Sequence, residues 1–197
     1  MQKADSDSIE SVMKRLEPLL DDFDAIPRHA MSFYRSYMRL VKDNPVNDVL
    51  VEHTKRTAAN CIYDHMVAEC ERRFDGREDI QLLELRGLKV WLIGKYEPHT
   101  VIRWKKMDED GRSRNYPTDQ AKTFDAQMPL KGLPPEPTRI TVGYWPDAAG
   151  VSVVRAQVAC PNGRFVDWCA AIIPPDERPA ADAKKWVDVT LQGRFGT

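Results

Sequence analysis

The chain has 197 residues, with 29 Lys and Arg against 30 Asp and Glu and a formal net charge of −1. That balance excludes a globally basic nucleic-acid binder, so any contact with phosphate has to come from a local patch. The N-terminal MQKADSDSIES lacks the apolar run of a signal peptide, and no stretch reaches the roughly 20 apolar residues of a membrane-spanning helix. The expected setting is cytoplasmic, with no membrane contact.

Helical periodicity fills the first 75 residues. Ile9, Val12, Met13, Leu16, Leu19 and Leu20 predict a first helix, with Asp7 and Glu10 as its capping box and Pro18 as its kink or end. A second helix is predicted over 25–42, with Phe33, Tyr34, Tyr37, Met38, Leu40 and Val41 on one arc and Arg28, Arg35, Arg39 and Lys42 on the other. Asn44-Pro45 reads as the start of a long helix, interrupted near His53-Thr54 and running to Phe74. Its core stripe is Ala59, Ile62, Tyr63, Met66, Val67, Cys70 and Phe74, and Gly76 is placed to end it.

From Ile80 the period becomes that of strands. A meander is predicted over 80–86, 88–95 and 100–107, with its middle strand covered on both faces. Thr118 caps a short helix to Gln127 that turns Ala121, Phe124 and Met128 inward, and 128–137, with four prolines, is an extended linker. Strands over 139–145, 151–159 and 164–173 follow, the last two joined at Asn162-Gly163. Val187, Val189 and Leu191 alternate as an edge strand. The expected architecture is α+β, a single domain with an N-terminal helical layer (8–75) on a predominantly antiparallel sheet (80–173) and an extended tail (174–197).

Four cysteines, Cys61, Cys70, Cys160 and Cys169, form no C-x-x-C pair. Reduced thiols without zinc are expected. His65 and Glu69 share a helix face as metal ligands do, but no third ligand stands at a telling spacing, so no metal and no cofactor are expected.

The stretch VIRWKKMDEDGRSRNYPT, residues 101–118, carries the strongest functional signal. Arg103, Lys105, Lys106, Arg112, Arg114, Asn115 and Tyr116 combine forked donors with an aromatic, a composition that grips phosphate or carboxylate. Alternation puts Trp104 and Lys106 on one face and Arg103 and Lys105 on the other, which weakens a flat base-stacking surface. Arg28, Arg35 and Arg39, with no acid within their span, are a second candidate binding face or a solvated helix side. His99 beside Arg103, Lys105 and Arg112 is the best set for a metal-free nuclease, and no nucleophile elbow or phosphate loop is present.

Arg103, Lys105 and Lys106 belong to a wider pattern, together with Asn115-x-Pro117-Thr118-x-Gln120, Phe124-x-x-Gln127, Gly132-Leu133-Pro134, Thr141-Val142-Gly143-Tyr144 and Ala59-Asn60-Cys61. It resembles uncharacterised open reading frames of prophages and mobile elements, some of them in toxin–antitoxin-like pairs. The pattern covers under half of the chain and carries over no catalytic residue. The resemblance implies genetic conflict, a cytoplasmic setting and a protein partner such as a regulator or a host defence component. The expected function is non-enzymatic partner binding through the polar tip at 106–116, where Asp108, Glu109 and Asp110 temper the basic field. RNA or DNA binding, or metal-independent cleavage, is the alternative.

Overall fold

A computed structural model describes residues 8–43, 53–113, 118–180 and 182–190. The architecture is α+β. Helix α1 (Ile9–Leu16) buries Ile9, Val12, Met13 and Leu16. Its cap is Ser8, whose side chain accepts from the Ser11 backbone N–H at 3.3 Å. Asp7, expected in that role with Glu10, lies outside the described residues. Pro18 sits in a 3-10 turn, Glu17–Leu19, and the chain then continues into α2 (Leu20–Lys42).

Helix α2 thus begins before the predicted Ala25, and Pro27 lies buried inside it. Its core face is Phe23, Ile26, Ala30, Met31 and Tyr34, whereas Phe33, Tyr37 and Leu40 of the expected apolar arc are 59%, 47% and 74% exposed. In its second half α2 packs on α3 rather than on the sheet: Phe33 meets His65, and Met38 joins Tyr34 as a residue of that arc that reaches the core.

Helix α3 (Lys55–Phe74) is capped by Thr54, which accepts from the Thr57 N–H at 3.1 Å, and buries Ile62, Met66, Val67, Cys70 and Phe74. The start expected at Asn44-Pro45 lies outside the described residues. Gly76, at φ +74°, follows the helix end in a conformation that suits glycine.

Seven strands form one sheet in sequential order: β1 (Ile80–Leu85), β2 (Leu88–Ile93), β3 (Thr100–Lys106), β4 (Thr138–Pro146), β5 (Val153–Asn162), β6 (Phe165–Ile172) and β7 (Trp186–Asp188). All pairings are antiparallel except β3–β4, where Thr100 to Lys106 run alongside Thr138 to Tyr144 in parallel. That parallel step needs a crossover, and helix α4 (Asp119–Asp125), capped by Thr118, lies within it. Gly143 lets the two strands meet: a Cβ there would stand 1.7 Å from the Lys105 carbonyl oxygen.

Helices α1 to α3 cover one face of the sheet, where Phe23 meets Trp104 edge-on at 5.6 Å. On the other face Val90, Val101 and Phe124 form a second cluster. Met128, expected to face inward with Phe124, is 56% exposed because the helix ends before it.

The β5–β6 turn is displaced by one residue from its expected place. Asn162 pairs with Phe165, so Gly163 (φ +62°) and Arg164 are the central residues. A register shift at Cys160/Pro161 moves the frame, and glycine first in the loop suits a type II′ turn. The Asn162 side chain instead donates to the Asp167 carboxylate at 2.8 Å. All four cysteines are free. Burial pushes the Cys70 thiol far up and Cys169 up to about 12, so both are thiols and poor nucleophiles.

Glu69 does not pair with His65, whose ring meets Phe33 at 4.4 Å, tilted by 57°. It accepts from Arg72 and Arg73, each at 2.6 Å, and lies 3.3 Å from His29 Nδ1. The Arg72 contact first, then Arg73 and His29, hold its carboxyl down at about 2 against the opposing cost of burial. A depressed acid adds stability above its unfolded value and loses it as pH falls through the folded one. Glu69→Gln should therefore cost roughly 1–2 kcal/mol at pH 7 in urea unfolding, the exposed Arg72 tempering the effect. The two curves should converge as pH falls from about 4.5 towards 2. A gap that persists at pH 2 would assign the effect to packing.

Candidate functional site

Only three residues of β2, Trp91 to Ile93, pair with β3, opposite Thr100 to Ile102. Beyond them the β1–β2 hairpin diverges, and among the described residues Arg103 to Lys106 have no strand neighbour on that side. A cleft of about 1030 Å³ opens in the gap. Its walls are the first turns of α3, the β1–β2 turn, the end of β3 with the loop that follows, α4 and the β5–β6 turn.

Among the described residues, seven cationic side chains line this cleft (Arg86, Arg103, Lys105, Lys106, Arg112, Lys122 and Arg164) against two acids, Asp108 and Asp125. In a chain of net charge −1 that is a strong local separation of charge. Among the described residues, Arg86, Lys106, Arg112 and Arg164 enter no ion pair, and Lys122 meets only Asp119, at 3.4 Å.

The floor is Arg103, 2% exposed. Its position on β3 opposite Thr141 of β4 follows from the parallel register. Its Nε donates to Thr141 Oγ1 at 3.2 Å, its Nη2 donates to the Asp125 carboxylate, and its guanidinium lies 4.6 Å from the Phe124 ring centre. Its Nη1 is buried with no hydrogen-bond partner. Lys105, two residues along the same face, places Nζ 5.9 Å from the Tyr63 ring centre. Burial first, then Arg103, holds the Lys105 ammonium below its usual value, while burial raises the Asp125 carboxyl against the pull of Arg103. Both directions say that this ionised floor costs stability.

The candidate residues from the sequence divide sharply. Arg103, Lys105, Lys106 and Arg112 all line the cleft. Arg114, Asn115 and Tyr116 lie outside the described residues. Arg28, Arg35 and Arg39 do not join them: Arg28 is held by Asp24 at 2.9 Å and by the Val153 carbonyl at 3.2 Å, and Arg35 and Arg39 are exposed on α2. His99 sits at the far end of β3, 3.1 Å from the Gly94 carbonyl oxygen, and no histidine is among the lining residues. The nuclease set built around it is not assembled.

The start of the expected polar tip is not a free tip. Met107 bridges to Ser113, Gln157 donates to the Asp108 carbonyl at 2.7 Å, and Arg155 donates to the Glu109 carbonyl. Gly111 lies so close to the sheet that a Cβ there would be 2.8 Å from Cys169 Sγ. This folding-back presents Arg112 at the cleft wall. Sequence reasoning missed Tyr63, Arg86, Lys122, Asp125 and Arg164, which come from four other elements.

No protein-family model, curated protein or solved structure matches the chain. No helix among the described residues is long and apolar enough to cross a membrane. The cleft has to be read from its own chemistry.

Proposed function

We propose that this chain is a non-enzymatic interaction protein of a mobile genetic element, acting in phage–host or toxin–antitoxin-like conflict, and that it grips an acidic segment of a partner protein in its cleft. The observation that carries this reading is the lining of seven cations and two acids, most of the cations having no acid of their own. Unpaired Arg and Lys around a concave site steer and hold anionic groups, and forked guanidinium donors suit carboxylates. The absence of a histidine from the lining argues against general acid–base catalysis by an imidazole. The prophage-like pattern supports the same place, because Asn60, Arg103, Lys105, Lys106, Thr118, Gln120 and Thr141, scattered along the chain, all line the cleft.

RNA or DNA binding is the second reading, favoured by one observation: Tyr63 and Phe165 give the cationic lining two aromatic faces. Capture from the native host separates the two. The wild-type chain is expected to retain a protein after nuclease treatment, and Lys106→Glu/Arg112→Glu to lose it while melting normally. Retained nucleic acid with steeply salt-dependent affinity would replace this reading with the second. Undiminished capture by the folded double variant would remove the cleft from the function.

A further inference from the structure

Resting on the partner-binding reading, we propose that the cleft floor is a socket for a single carboxylate of the partner, received between Arg103 and Lys105. The shared chemistry is a monoanionic, planar carboxylate, supplied by an Asp or Glu side chain or by a chain terminus.

Three observations on separate atoms carry this. Arg103 Nη1 is a buried donor without a partner, on a side chain whose Nε and Nη2 are both engaged. A buried donor left unmade costs about 1–3 kcal/mol, which an acceptor recovers once a small shift of the lining side chains opens Nη1 to the cleft. Lys105 is the second: it lines the same cleft, and among the described residues its ammonium has an aromatic face and no acid in contact.

The third is the charge of the floor. Arg103 and Lys105 bring two positive charges and Asp125 one negative. A carboxylate brings the floor to neutrality, whereas a phosphate dianion would leave a buried net negative charge, which is costly away from water. Asp125 also fixes the guanidinium in place, so the site is organised before the ligand arrives. The remaining cations stand around the rim, where further acids of the same segment meet them.

The test uses the full chain and calorimetric titration with four probes: an acetylated, amidated hexaglutamate peptide, an acetylated neutral hexapeptide with a free C-terminal carboxylate, inorganic phosphate, and a thymidine hexanucleotide. Hexaglutamate should bind if side chains supply the carboxylate, and the free-terminus peptide if a terminus does. Lys105→Met should weaken the binding peptide at least tenfold, and Arg103→Gln should do the same if it folds. Arg164→Gln on the rim should cost only about two- to threefold.

Peptide binding that responds to Arg164 but not to Lys105→Met would overturn the socket and leave the acidic-segment reading standing. Binding of the hexanucleotide or phosphate with no peptide binding would overturn both. Asp125→Asn is the independent check, because it removes the one negative charge of the floor. It should admit inorganic phosphate, which the wild type excludes, and a folded variant that still excludes phosphate would count against the charge argument.

Discussion

Gly143→Ala is expected to destabilise the protein by about 3 kcal/mol or more, the upper end for forced overpacking. The added methyl would meet the Lys105 carbonyl at 1.7 Å, and backbone cannot rotate away as a side chain would. The strain falls on the parallel β3–β4 pairing, which positions Arg103 against Thr141. In a chain of this size such a loss lowers Tm by roughly 6–12 °C. Gly163→Ala is the control: its φ of +62° strains an L residue, but nothing lies within 4 Å of a Cβ, and it should cost about 1–2 kcal/mol. Equal losses at the two positions in urea unfolding would refute the close approach at Gly143.

Asp125→Ala should cost about 3–5 kcal/mol, because it strands the guanidinium of Arg103 in a buried site. The cost belongs to the stranded charge. Arg103→Met/Asp125→Leu should therefore recover most of it and approach the wild type, since an apolar pair of similar volume often replaces a buried ion pair without loss. A double variant as unstable as Asp125→Ala would show that the pair itself holds the fold. Recovery accompanied by loss of ligand binding would show that the charges serve the cleft.

The first three strands were legible because the helical period ends at Ile80. The expected 80–86, 88–95 and 100–107 match β1, β2 and β3 to within two residues, and the largely apolar run from Leu88 to Ile93 marked a strand covered on both faces. Helix α3 was legible from its stripe. The front of α2 was not, since Pro18 suggested a break and the chain instead passes it in a 3-10 turn and continues. Phe33, Tyr37 and Leu40 have helical spacing, but spacing does not say where the opposing surface stops. In the site, Arg103, Lys105, Lys106 and Arg112 could be found because they are neighbours in sequence. Asp125 and Arg164 could not: each looks like an ordinary surface charge until the crossover and the β5–β6 turn carry it to β3. Trp104 was correctly separated from Arg103 by strand alternation, which left Tyr63 of α3 unforeseen as the aromatic beside Lys105.

Helices α1 and α2 pack on β4, β5 and β6, strands made long after them, while the nearer hairpin β1–β2 makes few contacts with either. During synthesis at 5–20 residues per second, the part of their apolar face that packs on β4 to β6 therefore waits on the order of 10 s for its cover. Until Ile172 has left the ribosome, the native surface for Leu16, Leu20, Phe23 and Ile26 is incomplete, limited to earlier elements such as α3 and Trp104 of β3. A nascent chain stalled in the crossover should be held by a chaperone at 9–31, and released when β4 to β6 emerge.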